Sequence, residues 1–480
     1  MLFGYSDIRS LLIRDSQPAL FIRLTVEGES LKASTNIIRK RTSYGHKVCL
    51  GLKSMKAVML AAGKGARLQP ITATRPKHLI KVGGKPILDY NLHALKASGV
   101  TEVVLVTHYM SAAIRQYFGD DKWNGLKISY VEQTDMLGTG NAVSEIEPYV
   151  EGDFVLVYGD LLFASESVSN VLKVYEAEKP AAVMAVVPVE KPESYGIVEI
   201  ASEKTVKSII EKPASDEAPS NLANAGLYVF SDEIFDKLKQ TNASVRGEWE
   251  LTDAISLLIK DKKTVLAAEI SKSDWLDIGR PWDLLEANVW ALKRMEPKIY
   301  GTVEKGAYLI GPVKVAETAR IRSGAYIEGP ALIDEGSDIG PNCFIRPCTS
   351  IGKNVRVGNA CEIKNSIIMD ETNVGHLSYV GDSILCEHCN LAAGTITANL
   401  RLDDEPVKMI VKGELVDTGR RKLGAILGDN VKTGINALFM PGVKVGINSW
   451  VGANFTVHKD LPANTVALLR QDEDRREKSR

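Results

Sequence analysis

The segment SDIGPNCFIRPCTSIGKNVRVG, residues 337–358, decides the fold of the C-terminal half. Ile339, Ile345, Ile351 and Val357 recur every six residues, and glycine follows three of them at Gly340, Gly352 and Gly358. A six-residue aliphatic period fits neither an α-helix nor a simple alternating strand. It is the hexapeptide signature of a parallel β-helix, in which each side of a triangular coil contributes one inward side chain.

Working outward, the series opens at Leu309, Val315, Ile321, Ile327 and Ile333 and runs on to Ile363. After a one-residue slip, Val374, Val380, Cys386, Ala392 and Ala398 are expected to continue it, and Leu427, Thr433, Phe439, Val445, Val451 and Val457 resume it. The charged stretch from Asn399 to Ala425 breaks the period and is expected to leave the coil as a loop, a place where function often sits. The β-helix is thus expected over 299–465, with a charged tail over 466–480.

Upstream, residues 55–298 alternate apolar runs with helix-period segments: KAVMLA, PILDYNLHALKASG, EVVLVT, SAAIRQYF, DFVLVYGD. That alternation predicts an α/β domain with a mostly parallel, Rossmann-like sheet and ligands at the carboxyl ends of its strands. Residues 1–54 carry nine Lys or Arg and four acids without a sustained apolar period, and are expected to lie outside the fold, as an extension or a mis-assigned start.

Across 480 residues, 59 Lys and Arg balance 60 Asp and Glu, which gives no overall electrostatic reason to bind nucleic acid or an anionic membrane. No apolar run reaches the roughly 18 residues of a spanning helix. Six cysteines are too few for a disulfide scaffold in such a chain, so a reducing cytoplasm is expected. Cys386 and Cys389 form a CxxC with no second pair, and read as buried packing rather than a metal site.

Directly after the first strand, LAAGKGARLQPITATRPK offers Leu60, Ala62, Gly63 and Gly65 as a backbone cradle for a triphosphate, with Arg67 and Lys77 to offset its charge. This spacing resembles that of sugar-1-phosphate nucleotidylyltransferases. The resemblance continues through EQTDMLGTGNA, VYGD, YGIVE, EKP, NAGLYVF and WLDIGRPWD and covers 55 to about 290. It implies that Gln133, Gly138 and Thr139 hold the base of UTP or dTTP, that Gly196, Glu211, Lys212 and Asn224 hold the sugar-1-phosphate, and that Asp160 and Asp277 bind Mg²⁺. One residue departs from the family pattern: Ala66 stands where Thr is usual, removing a hydroxyl near the phosphates. Trp275 and Trp282, flanking Asp277, read as local packing.

Within the repeats, IRP, EIKNS, HLSY, NLAAG and TANL follow one another in the order found in the acetyltransferase domain of the bifunctional enzymes that make UDP-N-acetylglucosamine. That resemblance implies that Arg346 and Lys364 hold the sugar phosphate, and that Tyr379, Asn390 and Asn399 hold the glucosamine ring. Ala393 and Ala453 would line the acetyl-CoA groove, although small residues also suit a β-helix corner. A neutral imidazole can accept the proton of the attacking amine near pH 7, which makes His376 the candidate base. The region GRRKLGAILGDNVKTGIN looks like the archaeal-type relatives, and Lys408 resembles a substrate-site lysine of that subgroup, while Glu405 replaces another lysine there.

The resemblance implies a homotrimer with the acetyl site between subunits, and acetyl-CoA as co-substrate. Two rivals compete with a bifunctional enzyme. One is a monofunctional glucose-1-phosphate thymidylyl- or uridylyltransferase with a structural β-helix, and the other a non-catalytic regulator built on the same two domains. His376 speaks against the first, and the presence of Arg67, Lys77, Asp160 and Asp277 against the second.

Overall fold

The computed structural model describes residues 55–244, 247–473 and 475, together with the paired two-residue strands Thr25–Val26 and Glu29–Ser30. The sequence expectation for residues 1–54 otherwise lies outside the described residues, as does most of the end of the tail. Among the described residues, no helix is long and apolar enough to cross a membrane.

The first domain is built on a ten-stranded mixed sheet. Lys56–Ala61 lies at its centre, between the parallel strands Glu102–Thr107 and Phe154–Tyr158. All three are apolar runs buried along most of their length, which is why their sequences read as continuous hydrophobic stretches rather than alternating ones. Leu126–Glu132 extends the parallel part, and Leu222–Phe230 pairs antiparallel with Phe154–Tyr158 on the other side. Helices such as Ile87–Ala97 and Ser165–Glu178 cover one face, and Leu251–Lys260 belongs to the core on the other.

From Thr302 the chain winds into a left-handed parallel β-helix with three sheets of nine, eight and seven strands. Inward residues form one continuous core from Val313 to Val457. The expected hexad phase holds as far as Val380 and then differs. Leu385, Leu391 and Thr397 point inward, whereas Ala392 and Ala398 are only half-buried and Cys386 packs with the neighbouring domain. Two coils are each one residue short, because the steps from Ile363 to Ile368 and from Val380 to Leu385 are five residues. Only the first of these two slips shows in the aliphatic pattern, since cysteine and alanine imitate small core residues. The last coil strand is Val466–Ala467, pairing with Trp450–Val451, so the repeat ends inside the stretch expected to be tail.

The three outer surfaces differ. A polar face carries Arg320, Asp338, Arg356, Asn373, Asn390 and Lys432 outward. An aromatic face carries Tyr308, Tyr326, Phe344, Tyr379, Ile396 and Leu438. A docking face, with Leu332, Ser350, Ile367, Ile384 and Ile426 outward, is covered by the first domain: none of these five is more than 5% exposed. The segment 399–425 does leave the coil, and contains the hairpin Lys408–Val411 with Glu414–Asp417. Its Val407, Met409 and Val411 share one apolar cluster with Trp282, Leu285 and Ile384, so it works as a wedge at the domain junction. Asn288 on the helix Asp283–Lys293 is fully buried there, donating to the Cys348 carbonyl at 3.0 Å and accepting from Gly83 N–H at 2.8 Å.

Candidate functional site

The carboxyl ends of the parallel strands open into a cavity of about 400 Å³. Lys56–Ala61 delivers Leu60, Ala62 and Gly63, Gln133 directly follows Leu126–Glu132, and Asp160 follows Phe154–Tyr158. The antiparallel pair Gly196–Ser202 and Thr205–Glu211 sets Gly196 opposite Glu211, and Asn224 joins them from the next strand. A short pairing of Leu161–Phe163 with Trp275–Asp277 places Leu161 opposite Asp277, bringing Asp160 and Asp277 into one wall. Arg67, Lys77, Gly138, Thr139 and Lys212 complete the residues expected there. Gly65 lies behind the lining, in the left-handed region at φ 66°, where an added Cβ would meet the Lys77 side chain at 3.0 Å.

Electrostatics concentrate on the two carboxylates. Burial would raise the Asp160 carboxyl, but the Lys77 ammonium, bonded directly to it, outweighs burial and leaves it below the ordinary range. Asp277 goes the other way: burial and the neighbouring Asp160 charge push it up, against Arg67 and Lys77. A pair in which one carboxylate resists ionisation beside the other is a pair that a cation would relieve. Mg²⁺ needs no more from protein than one or two carboxylates when substrate phosphates supply the rest. Among the described residues, no group of three or more His, Cys, Asp or Glu that could hold a metal ion is gathered.

Three contributors escaped the sequence. His78 lines the cavity, is 1% exposed, and is driven to a pKa of about 3 by burial and by Lys77, so it stays neutral. Tyr195 also lines it, and burial followed by Asp277 pushes its hydroxyl upward. The Tyr158 phenol receives a hydrogen bond from Tyr228, which in turn accepts from the Asn224 amide at 2.6 Å. Tyr158 and Tyr195 sit inside the quoted motifs VYGD and YGIVE, without a role assigned to them there, whereas His78 lies one residue beyond Lys77 and outside any quoted motif. Gln133 is 3% exposed, and its amide donates to Asn141 at 2.7 Å.

The second group of expected residues spreads along the β-helix. On the aromatic face and its edge toward the docking face, Arg346 pairs with Glu362 at 2.9 Å and Lys364 with Asp382 at 3.3 Å. Asn399 donates to the Tyr379 hydroxyl at 3.2 Å and to Asp382. Asp382 is the hub that sequence reasoning missed: it is buried, in the left-handed region at φ 49°, and accepts also from Asn365 at 2.7 Å. Gly381 makes room for this cluster, since a Cβ there would lie 2.5 Å from the Tyr379 hydroxyl and 2.7 Å from the Asn399 amide.

His376 lies elsewhere. It ends the strand Asn373–His376 at the opposite edge of the aromatic face, exposed and in register with Asn359. Ala393 and Ala453 follow it on the same corner in later coils, after the polar-face strands Asn390–Leu391 and Trp450–Val451. Asn390 sits on the polar face in register with Asn373 and Lys432, and Lys408 is exposed on the hairpin. Within one chain, then, the imidazole and the Lys364–Asn399 cluster occupy two edges of one face.

Comparison with known proteins finds matches in both halves of the chain. Residues 56–294 match the family described as nucleotidyl transferase, and residues 327–439 match one described as the GMPPB C-terminal domain. The chain is 44% identical over 418 residues to "Bifunctional protein GlmU" of Methanocaldococcus jannaschii, covering 87% of this chain and 98% of that protein. It is 39% identical over 409 residues to "Bifunctional sugar-1-phosphate nucleotidylyltransferase/acetyltransferase" of Sulfurisphaera tokodaii, covering 85% and 98%. It is also 39% identical over 341 residues to "Low-salt glycan biosynthesis nucleotidyltransferase Agl11" of Haloferax volcanii, covering 71% and 94%.

Proposed function

We propose, from the premise that this chain belongs to the bifunctional sugar-1-phosphate nucleotidylyltransferase/acetyltransferase family, that its two sites carry out successive steps of UDP-N-acetylglucosamine synthesis. In the first step, the amine of glucosamine-1-phosphate attacks the acetyl-CoA thioester, coenzyme A leaves as the thiol, and the Nε2 or Nδ1 of His376 accepts the amine proton. In the second, a phosphate oxygen of N-acetylglucosamine-1-phosphate attacks the α-phosphorus of UTP and pyrophosphate leaves in line. The single observation that carries this reading is the meeting of both expected carboxylates, Asp160 and Asp277, with Arg67 and Lys77 around one cavity, in a chain similar over its folded length to bifunctional relatives.

Nucleotidyl transfer needs little proton chemistry, so positioning and charge neutralisation dominate. Gly63 and its neighbours bring backbone N–H groups to the phosphates, Arg67 and Lys77 offset developing charge, and neutral His78 adds none. Asp160 and Asp277 would hold Mg²⁺, which supplies Lewis-acid neutralisation of the phosphate oxygens when bound. Glu211 and Asn224 would orient the sugar, and Gln133 with the Gly138–Thr139 turn the base.

For acetyl transfer, the separation of His376 from Lys364, Tyr379 and Asn399 supports a site shared between subunits. The exposed aromatic-face residues Tyr308, Tyr326, Ile396 and Leu438 supply the apolar surface for a homotrimer. The protein would act in the cytoplasm, where both nucleotide and thioester are available. Free-thiol release from acetyl-CoA and glucosamine-1-phosphate, followed in wild type and His376→Ala, tests the reading. Release should fall by about 10²- to 10⁴-fold in the variant while pyrophosphate release from UTP persists. Thiol release independent of His376 would remove the proposed base, and its absence in wild type would reduce the β-helix to a scaffold.

A further inference from the structure

The segment Thr74–Lys81 faces two ways. Lys77, in its middle, reaches the transfer cavity and pairs with Asp160. The residues on either side are gripped by the β-helix. The Thr74 hydroxyl donates to Asp429, Arg75 Nη2 donates to Asp429 Oδ1 at 2.6 Å, and Arg75 Nη1 donates to Glu387 Oε1 at 2.8 Å. At the other end, Lys81 Nζ lies 2.6 Å from Asp370 Oδ2.

These anchors are built rather than casual. The Arg75 side chain is 13% exposed, with Met369 Sδ 3.2 Å from Nη1. Asp429 is 6% exposed and is itself fixed by the Glu387 backbone N–H, which donates to its Oδ1 at 2.9 Å. Asp370 accepts the Lys353 backbone N–H at 3.0 Å. A guanidinium held by two carboxylates is a charge-assisted contact with fixed geometry, and removing one side leaves a buried charge uncompensated. The anchored segment has little regular structure of its own. From Ile71 to Leu79 it contains only the single 3₁₀ turns Ile71–Ala73 and Lys77–Leu79, and such short turns do not fix a side chain by themselves.

We propose that Arg75 is a positioning residue for nucleotidyl transfer: through it, Asp429 and Glu387 of the β-helix hold the loop that sets Lys77 against the α-phosphate. The β-helix is then part of the transfer machinery and not only the platform of the second site. This rests on the role given above to Lys77.

The test compares Arg75→Ala, Arg75→Lys and Asp429→Asn with Lys77→Ala in the full chain, reading pyrophosphate release from UTP and N-acetylglucosamine-1-phosphate. A slight misplacement of a catalytic group costs up to about 100-fold, so kcat should fall about 10- to 100-fold in Arg75→Ala and Asp429→Asn. KM for UTP should move much less, Arg75→Lys should recover part of kcat, and the double variant Arg75→Ala/Asp429→Asn should lose no more than either single one. Thiol release from acetyl-CoA should stay at the wild-type rate. Wild-type kcat in Arg75→Ala and Asp429→Asn, with Lys77→Ala inactive, would overturn the positioning role while leaving the site reading standing. An active Lys77→Ala would overturn both. Parallel loss of thiol release, or additive losses in the double variant, would mark a general folding defect and also overturn the proposal.

Discussion

Two faces of the β-helix are alike in sequence and opposite in fate. The docking face turns Leu332, Ile367, Ile384 and Ile426 outward and hides them all, none more than 5% exposed. The aromatic face turns out Tyr308, Tyr326, Ile396 and Leu438, which are 59%, 39%, 42% and 37% exposed. Inside the coil the three sides are interchangeable, because each hexad position has the same task. Outside, the faces part: the first domain covers one, the homotrimer proposed above would cover the other, and the face bearing Arg320, Arg356 and Lys432 is polar.

The largest effect should come from giving the aromatic face the character of the polar one. Ile396→Asp combined with Leu438→Asp should produce a monomer by light scattering and lower thiol release at least about 100-fold, if the acetyl site is shared between subunits as proposed. Pyrophosphate release should be retained, because that cavity is complete within one chain. On the docking side, Met409→Ala removes a buried side chain from the wedge, 1% exposed, and should cost about 2–5 kcal/mol in denaturant unfolding without changing either activity of the folded protein. Gly381→Ala sets a methyl group against Tyr379 and Asn399. It should lower kcat/KM for glucosamine-1-phosphate by about tenfold, equal to about 1.4 kcal/mol of lost substrate positioning.

The smallest effect concerns pH and the helix Ile87–Ala97, whose Ile87 belongs to the docking cluster. Burial raises the Asp89 carboxyl to about 6, with Lys85 opposing, and its Oδ1 is buried without a hydrogen-bond partner. A carboxyl with a raised folded pKa binds its proton more tightly when folded. The stability it contributes is therefore present below the unfolded value near 3.8 and lost as pH rises through about 6. Asp89→Asn should raise Tm at pH 8 and leave it nearly unchanged at pH 4. An equal shift at both pH values would show that ionisation of Asp89 is not what limits stability.

The interior of the coil was legible because one inward residue per six is a pattern that no other element produces. The transfer site was legible because its glycines and charges sit in short motifs at strand ends. What could not be read depends on partners far apart in the chain. Arg75, inside the quoted stretch LAAGKGARLQPITATRPK, had no role assigned to it, and only folding shows it turned toward Asp429, 354 positions away. Asp382 had no motif, since its importance comes from Lys364, Asn365 and Asn399 converging on it across neighbouring coils. The second register slip was hidden by Cys386 and Ala392, small residues that suit a core and a corner equally. A signal for the docking face did exist: Ile367–Ile368, Ile384–Leu385 and Ile426–Leu427 are apolar at adjacent positions, as strands buried on both sides are.

The strand Val466–Ala467 closes the coil with its outer backbone edge unpaired by any later strand among the described residues, and with Val466 57% and Leu468 68% exposed. An open end of a solenoid is a template on which another chain can add a rung, the first event of fibre growth. The residues that follow, QDEDRREK at 471–478, contain seven charges in eight positions. Like charges on neighbouring copies would oppose end-to-end stacking, so a chain cut after Leu469 should gel or form filaments at concentrations where the full chain stays dispersed.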